Sequence, residues 1–421
     1  MDRTPGAQAE TYLDNAATTR PYPEVVDAVA EALAENWGNP SSVHHKGKDA
    51  KAVLEQSRAR IADALGVEPP EVYFTSGGTE ANNLAISGAC LAHGRTLDRA
   101  CGHACGPLHG PACGPPHGLA AGALVTSTLE HPSVTKTVRG LKRTGWDVGY
   151  VDMRDGHLDL EQLRGLLDGR TALVTMMRVH NELGWLYPTE KVARLRDEHA
   201  PQALLHVDAV QAFGKLDFRP KELGAQMASI SAHKIGGPKG VGALYVEAGT
   251  PLFTTAFGGG QERGLRSGTE PLPLIAGFAK AVELTMSQRE QTHAHVTALK
   301  AYLLERLSGR FPQLRVNSLP SGSPYIVNFT LPGIQNEQAL RLLDSHDVFV
   351  SAAAACTSNH TTVPAGTWRR KHPLVLELAG VPPPLHRSTF RVGLWHSNSK
   401  ADIDLLVELL SSETPDESPG G

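Results

Sequence analysis

The chain has 421 residues, of which 41% are hydrophobic and 20% charged, a balance typical of a globular protein with a sizeable core and a length that favours two domains. Its formal net charge of −4 argues against electrostatic capture of nucleic acid or of an acidic membrane. The polar opening residues, and the lack of an apolar run of roughly 18 residues, predict a cytoplasmic protein without signal peptide or membrane span.

Short apolar runs alternate with amphipathic ones from about residue 20 to residue 265. Seven of them are predicted to be buried strands: EVYFTS, GALVTS, DVGYVDM, TALVTMM, ALLHVDAV, MASIS and GALYV. Between strands, EQLRGLLDG and EKVARLRDEH repeat leucine or valine at helical spacing. This alternation predicts an α/β domain with a mainly parallel sheet, in which ligands bind beyond the carboxyl ends of strands.

A segment rich in cysteine, histidine, glycine and proline, ACGHACGPLHGPACGPPHG (100–118), precedes the strand GALVTS. Cysteine and histidine are ligands that zinc prefers, and four of the six here could form a tetrahedral site. The near-tandem copies ACGPLHGP and ACGPPHG instead favour a low-complexity expansion of a surface loop, so no metal ligand is assigned. The six residues are Cys101, His103, Cys105, His109, Cys113 and His117.

The C-terminal part begins with a long helical stretch, PLIAGFAKAVELTMSQREQTHAHVTALKAYLLERL. A shorter pattern of strands and helices follows, in YIVNFTL, EQALRLLDSH, VFVSAAAA, TFRVGL and KADIDLLVELL. It predicts a smaller α+β domain over residues 266–410. Residues 411–421, SSETPDESPGG, are predicted to be a disordered tail.

A carboxylate and a lysine follow two of the predicted strands. Asp208 ends the run ALLHVDAV, and Lys234 follows MASIS, so the two are predicted to lie side by side. A buried ionised carboxylate is costly unless a cation meets it, and an Asp208–Lys234 ion pair is one interpretation. The other is a cofactor between them. Pyridoxal phosphate (PLP) needs a lysine that binds it covalently and a carboxylate that keeps its pyridine nitrogen protonated.

A phosphate would need its own site, and VYFTSGGTEANNLAISG reads as a strand, a glycine turn and the start of a helix. Free N–H groups at a helix N-terminus suit a dianion, which Gly77, Gly78 and Thr79 would surround. Ser231 and His233, beside the lysine, could add further donors. Glycine turns also connect strands and helices without any ligand, so this motif alone leaves both interpretations open.

Nine segments together resemble a known family. They are YLDNAATT, WGNPSSVHHKG, FTSGGTEANNLA, LEHPSV, HNELG, HVDAVQAFGK, SAHKIGGPKGVGALYV, GGGQERGLRSGTE and AAACTS. In this order they resemble the markers of the cysteine desulfurase and selenocysteine lyase group of the class V aminotransferases, from residue 12 to about 410. The resemblance implies an aminotransferase-type large domain (20–265, with the insert at 100–118), a small domain built from residues 1–19 and 266–410, and a homodimer with active sites at the interface.

The resemblance also implies the cofactor site. Lys234 resembles the lysine that binds PLP covalently, and Asp208 the partner of the pyridine nitrogen. His131, in LEHPSV, would stack on the ring, while Asn181 and Gln211 resemble the pair that hydrogen-bonds the ring hydroxyl. The phosphate contacts would come from Gly78, Thr79, Ser231 and His233, joined by Thr269 from the other subunit.

For the substrate, Arg391 in STFRVGL would bind the carboxylate with its two-pronged guanidinium, and Asn39 lies where the family contacts the same group. Cys356, in VSAAAACTSNHTT, resembles the nucleophile, whereas without the resemblance a buried, unreactive cysteine is the favoured interpretation. A free thiol with a pKa of about 8.5 is mostly protonated at neutral pH, so His131 or the substrate would assist its ionisation.

The implied activity is a PLP-dependent sulfurtransferase reaction: L-cysteine gives L-alanine and a persulfide on Cys356. The sulfur would pass to an acceptor or an iron–sulfur scaffold protein. Two alternatives stay open, a selenocysteine lyase with the same groups and an inactive family member that serves as a scaffold or metal-binding partner. The sequence departs from the family pattern at His180 and Pro271, where asparagine is usual.

Overall fold

The computed structural model of the protein describes residues 10–100, 121–352 and 375–413. Its strands are β1 (Thr11–Tyr12), β2 (Val72–Thr75), β3 (Ala121–Ser127), β4 (Trp146–Val151), β5 (Met153–Arg154), β6 (His157–Leu158), β7 (Thr171–Met177), β8 (Leu204–Asp208), β9 (Met227–Ser231), β10 (Gly242–Val246), β11 (Arg315–Val316), β12 (Ile326–Thr330), β13 (Val348–Phe349), β14 (Ser351–Ala352) and β15 (Thr389–Gly393). Its helices are α1 (Pro23–Glu35), α2 (His45–Leu65), α3 (Gly78–Ala100), α4 (Pro132–Arg143), α5 (Leu160–Leu166), α6 (Thr189–His199), α7 (Leu272–Arg310), α8 (Asn336–Ser345), α9 (Val375–Leu378) and α10 (Lys400–Ser412).

A seven-stranded sheet contains all seven strands predicted between residues 20 and 265. Its order is β2-β10-β9-β8-β7-β3-β4, and β10 alone runs antiparallel to its neighbours. Every residue of β7 is buried, as expected of a parallel strand that is covered on both faces. The predicted α/β class with a mainly parallel sheet is therefore confirmed, and β8 and β9 lie side by side near its centre.

A second sheet is antiparallel and has the order β11-β12-β15-β14. The phenyl rings of Phe329 and Phe390 stack on neighbouring strands of this sheet, with their centroids 5.7 Å apart. The N-terminal segment of the described chain meets the C-terminal part beside it, because β1 pairs with β13 and Asp14 forms a bridge with Gly393. The predicted division into a large and a small domain remains a prediction. The helix α10 extends to Ser412, so it includes the first two residues of the range that was predicted to be a disordered tail.

The long helix α7 links the two sheets. It has 39 residues, a length of about 58 Å, and packs against α1, α2 and α10. Pro271 is its N-cap residue and Pro273 lies in its first turn, where a missing backbone N–H is tolerated. The proline that departs from the family pattern thus marks the start of this helix.

Within the described ranges, none of the helices has both the length and the apolar character that crossing a membrane requires.

Candidate active site

Lys234 lies in a 3₁₀ turn (Ala232–Lys234) that directly follows β9. Its Nζ donates hydrogen bonds to the backbone oxygens of Ala16, at 2.8 Å, and Ala17, at 2.6 Å. The N-terminal segment therefore reaches across the sheet to the central lysine. Backbone acceptors have no side-chain signature, so this contact could not be predicted from the sequence.

Asp208 is the last residue of β8, and only 6% of it is exposed. Its carboxylate accepts hydrogen bonds from Asn82 Nδ2, at 2.7 Å, and from the backbone N–H of Val210, at 3.0 Å. Asp208 pairs in register with Ser229 of β9, so the ends of the two strands are adjacent as predicted. The carboxylate is thus held by amide donors, while the ammonium of Lys234 is held by carbonyl oxygens.

A chain of hydrogen bonds joins His131 to this carboxylate. His131 is the N-cap of α4, and its Nδ1 lies 3.1 Å from the backbone nitrogen of Ser133 and 2.7 Å from its Oγ. Asn82 Nδ2 donates to that Oγ at 2.8 Å and also to Asp208. Because Nδ1 accepts the Ser133 N–H, the neutral imidazole carries its proton on Nε2. Burial lowers the pKa of His131, as Lys234 also does, while Asp208 opposes the change.

Asn82 and Ser133 are site residues that the sequence interpretation did not single out. Both lie inside segments quoted for the resemblance, FTSGGTEANNLA and LEHPSV. Asn82 is 1% exposed, and within the described part of the chain its Oδ1 has no hydrogen-bond partner. A polar residue one turn after the glycine motif was the available signal, but its partners come from two other elements, α4 and β8.

Gln211 is buried beside the lysine and contacts the same backbone oxygen. Its Nε2 donates to Ala16 O at 2.8 Å, and its Oε1 accepts from Lys215 Nζ at 2.9 Å. Lys215 itself is 2% exposed. Burial lowers the pKa of Lys215 to about 7, and the charges of Lys234 and Arg391 contribute to the shift. The sequence interpretation did not assign any function to this second lysine.

The glycine turn before α3 forms a cradle at the same edge of the sheet. Gly77 has a φ of 149°, and a Cβ on Gly78 would lie 2.5 Å from Cγ2 of Val210, so both positions favour glycine. Ser231 Oγ lies near Gly77, is buried, and has no hydrogen-bond partner among the described residues. A 23-residue helix that begins at this turn, together with an unsatisfied hydroxyl, suits an anionic group such as a phosphate.

Thr79 follows Gly78 in this turn, and His233 lies two residues after Ser231. Thr79 is exposed in the first turn of α3, and His233 Nδ1 lies 3.2 Å from Thr18 Oγ1. Burial is the main cause that lowers the pKa of His233 to about 4, and nearby lysines add to it. Its imidazole is therefore neutral at pH 7, so any phosphate contact from this side chain would be a hydrogen bond rather than an ion pair.

Arg391 lies in β15 and is 5% exposed. Its Nη2 contacts the carboxylate of Asp14 at 2.9 Å and Ser351 Oγ at 3.1 Å. Its Nη1 donates to the backbone oxygen of Asn181 at 3.1 Å, and its buried Nε has no partner within the described ranges. The guanidinium is thus held by the N-terminal segment, the loop after β7 and the strand β14. Its pairing with Asp14 was not predicted.

His180, which replaces the usual asparagine, is part of the buried wall near Arg391. Its Nδ1 accepts the backbone N–H groups of Glu182, at 3.2 Å, and Leu183, at 3.1 Å. Burial lowers the pKa of His180 to about 3, with a contribution from Arg391. Burial also raises the pKa of Glu182 to about 7, although Arg391 opposes that change. Histidine therefore serves here as a neutral acceptor that closes a turn.

Two predicted site residues are not joined to this cluster by a hydrogen bond or ion pair in the described part of the chain. Asn39 is exposed, and its Oδ1 accepts from the backbone nitrogen of Ser41 within its own loop, at 2.9 Å. Thr269 is exposed on the loop before α7. Cys356 lies outside the described residues, as do the six cysteines and histidines of the 100–118 insert. Their predicted roles stay predictions.

A buried ion pair holds the loop that carries Thr269. Arg58 Nη1 and Nη2 each lie 2.8 Å from an oxygen of Glu262, whose carboxylate also accepts the backbone N–H of Phe74 at 2.7 Å. The side chains of Arg58 and Glu262 are 3% and 1% exposed. The loop is therefore fixed to α2 and β2 a few residues before Thr269.

Three comparisons with known proteins cover nearly the whole chain. The family model for class V aminotransferases matches residues 11–100 and 116–406. The cysteine desulfurase IscS of Dictyoglomus turgidum is 33% identical over 403 residues, which are 95% of this chain and 93% of that protein. The selenocysteine lyase of Bos taurus is 34% identical over 428 residues, at 97% and 94% coverage. A solved structure of a NifS-like protein aligns with a TM-score of 0.82 at 30% identity, over 96% of this chain and 99% of that one.

Proposed function

This chain belongs to the class V aminotransferase family, and from that membership we propose that it is a PLP-dependent cysteine desulfurase, which converts L-cysteine to L-alanine and retains the sulfur. The observation that carries the proposal is the shared edge of β8 and β9. There Asp208, Lys234 and the unsatisfied hydroxyl of Ser231 lie together beside the glycine turn.

The residues of this edge fit PLP in charge and in hydrogen-bonding capacity. Lys234 would bind it covalently, Asp208 would pair with the pyridine nitrogen, and His131 would lie against the ring. The ring hydroxyl would be bound by Asn181 and Gln211. The phosphate would be bound by Gly78, Thr79, Ser231 and His233, with Thr269 from a second copy of the chain. When bound, PLP supplies an electron sink for the bonds at the substrate's Cα.

The chain's own groups would perform the remaining steps. Arg391 would bind the substrate carboxylate, with Asn39 as a further contact, and the Lys234 amine would move the proton at Cα. The Cys356 thiolate would attack the substrate's sulfur, so that an S–S bond forms while the Cβ–S bond breaks. The electron pair of that bond stays with carbon, which takes up a proton to give the methyl group of alanine. A persulfide remains on Cys356.

The tautomer of His131 determines whether its imidazole could accept the proton of the Cys356 thiol. With Nδ1 accepting from Ser133, the neutral ring offers an N–H at Nε2 and is a donor there. We therefore assign the role of proton acceptor for the Cys356 thiol to the substrate rather than to His131. A substrate amine in that role would make thiolate formation depend on substrate binding.

We further propose a cytoplasmic homodimer that passes its sulfur to an acceptor or iron–sulfur scaffold protein. Support for the dimer comes from three large apolar side chains on loops: Trp37, Val43 and Phe257 are 67%, 88% and 77% exposed. Trp37 and Val43 lie on the same loop between α1 and α2, and exposed apolar side chains that cluster are typical of protein contacts. Thr269 is also exposed, as a residue that serves a second copy's site would be.

The first experiment is a visible absorbance spectrum of the purified protein, followed by a sulfide-release assay with L-cysteine. A yellow protein whose band disappears in Lys234→Ala, and which releases sulfide, would support the proposal. A colourless protein that stays inactive after PLP is added would contradict it and favour the inactive scaffold.

A selenocysteine lyase is the second candidate, since the bovine enzyme aligns with 97% of this chain at an identity within the range of the desulfurases. Assays on the same purified protein distinguish the desulfurase from the lyase. Sulfide and selenide release are measured in parallel with L-cysteine and L-selenocysteine. A large excess of the selenide rate would favour the lyase, and comparable rates would favour the desulfurase.

A further inference from the structure

Lys215 is a buried cation for which the proposed mechanism has no use. It is 2% exposed, and its Nζ lies 5.7 Å from the ring centroids of both Tyr325 and Trp395. None of the ion pairs within the described ranges involves Lys215. Its side-chain hydrogen bond goes instead to the neutral Oε1 of Gln211, at 2.9 Å. Burying a cation without a carboxylate partner is unfavourable. A lysine buried in this way therefore indicates a function beyond packing.

The contact with Lys215 determines which way the Gln211 amide faces. Lys215 Nζ donates to Gln211 Oε1, and while Lys215 is protonated its ammonium group only donates, so the amide oxygen has to face Lys215 and the amide nitrogen has to face away. Gln211 Nε2 then donates one N–H to Ala16 O, at 2.8 Å, the same oxygen that accepts from Lys234 Nζ at 2.8 Å. An amide nitrogen has two hydrogens. The second N–H of Gln211 therefore remains for a ligand beside Lys234.

We propose that Lys215 is a positioning residue that fixes the Gln211 amide so that an N–H, and not the carbonyl oxygen, faces the ring oxygen of the cofactor. The inference rests on the proposed function, because that oxygen belongs to PLP. A donor at this place favours the deprotonated ring oxygen, whereas a flipped amide would present a carbonyl and favour the protonated one. Lys215 acts through Gln211 and does not touch substrate or cofactor.

The chain offers a matched control in Lys300, another buried lysine. It is 7% exposed, and its Nζ donates to the backbone oxygens of Leu319, at 3.2 Å, and Ser323, at 3.4 Å. Lys215→Met and Lys300→Met therefore remove the same buried charge, but only the first removes the contact with Gln211. Lys215→Arg keeps a donor-only cation and tests for rescue.

The experiment compares PLP binding by these full-length variants through two readouts other than turnover. We expect Lys215→Met to raise the dissociation constant for PLP about three- to tenfold, the effect of one weakened hydrogen bond. The pH at which the visible band of the bound cofactor titrates should also rise by about one unit. Lys215→Arg should restore both values at least in part, and Lys300→Met should change neither.

Identical affinity and band titration in Lys215→Met and Lys300→Met would overturn the inference, while sulfide release by the wild type would leave the proposed function intact. A wild type that binds no PLP would overturn both. If Lys215→Met does not fold, the Gln211→Glu variant tests the orientation of the Gln211 amide instead. The new carboxylate can pair with Lys215, so the variant should unfold at the wild-type urea concentration or above it, yet bind PLP at least tenfold more weakly. Wild-type PLP affinity in that variant would refute the orientation.

Discussion

Breaking the buried ion pair between Arg58 and Glu262 tests how the loop before α7 is held. In Arg58→Met the Glu262 carboxylate, with its side chain 1% exposed, loses both guanidinium contacts of 2.8 Å and keeps only the N–H of Phe74. Removal of one partner of a buried pair costs about 3–5 kcal/mol, because the remaining charge is left uncompensated. We therefore expect the free energy of unfolding to fall by that amount.

The assay is urea unfolding at one fixed protein and PLP concentration, since ligand binding and association both change the apparent stability. Arg341→Met is the matched control, because its pair with Glu337 has side chains that are 70% and 80% exposed, at 3.2 Å. That exposed pair should contribute less than about 1 kcal/mol. PLP affinity should fall in Arg58→Met alone, since the loosened loop carries Thr269.

A double variant separates the loss of attraction from the penalty of the remaining charge. Arg58→Met with Glu262→Gln keeps an acceptor for the N–H of Phe74 but leaves no buried charge behind. It should recover much of the stability lost in the single variant, as neutral replacements of buried pairs often do. A loss of less than about 1 kcal/mol in Arg58→Met would show that the reasoning is wrong.

Four further outcomes are expected. Cys356→Ala should abolish sulfide release yet leave the visible band unchanged, and full activity in that variant would remove Cys356 from the mechanism. Arg391→Ala should lower kcat/KM by roughly 100-fold, about 3 kcal/mol, through loss of a charge-assisted contact with the substrate carboxylate; an unchanged kcat/KM would place that contact elsewhere. Burial lowers the pKa of His206 to about 3, so between pH 6.5 and 3 the unfolded chain binds a proton that the native one does not, and the free energy of unfolding falls as the pH falls. His206→Gln should flatten that dependence in urea titrations by up to one proton, and an identical slope would contradict the assignment. Metal analysis with and without residues 100–118 should find no metal above background, and a bound zinc ion that disappears on deletion would restore the zinc interpretation of the insert.

The predicted strands agree with the structure because their signals are local. Each of the seven runs is a short apolar stretch bounded by turn residues, and buried parallel strands need no other pattern. The adjacency of Asp208 and Lys234 also followed from the sequence, since consecutive strands of an α/β sheet tend to be neighbours. The family resemblance, and not periodicity, was needed to assign roles to these side chains.

What the sequence left unpredicted depends on contacts between distant segments. Asp14 pairs with Arg391, a residue 377 positions later, and nothing in either neighbourhood indicates the other. Lys234 and Gln211 bind the backbone oxygen of Ala16, where any residue type could serve. Asn82 has polar neighbours on β8 and α4, and such a junction depends on the packing of both elements.

The contacts between the N-terminal segment and the C-terminal part have a consequence for folding during synthesis. The segment around β1, with Asp14 and Ala16, leaves the ribosome long before its partners β13 and Arg391. Nascent chains that lack β13 and Arg391 therefore cannot form these contacts, even when Lys234 has already been synthesised. The proposed enzyme should therefore become active only after its C-terminal strands have been made.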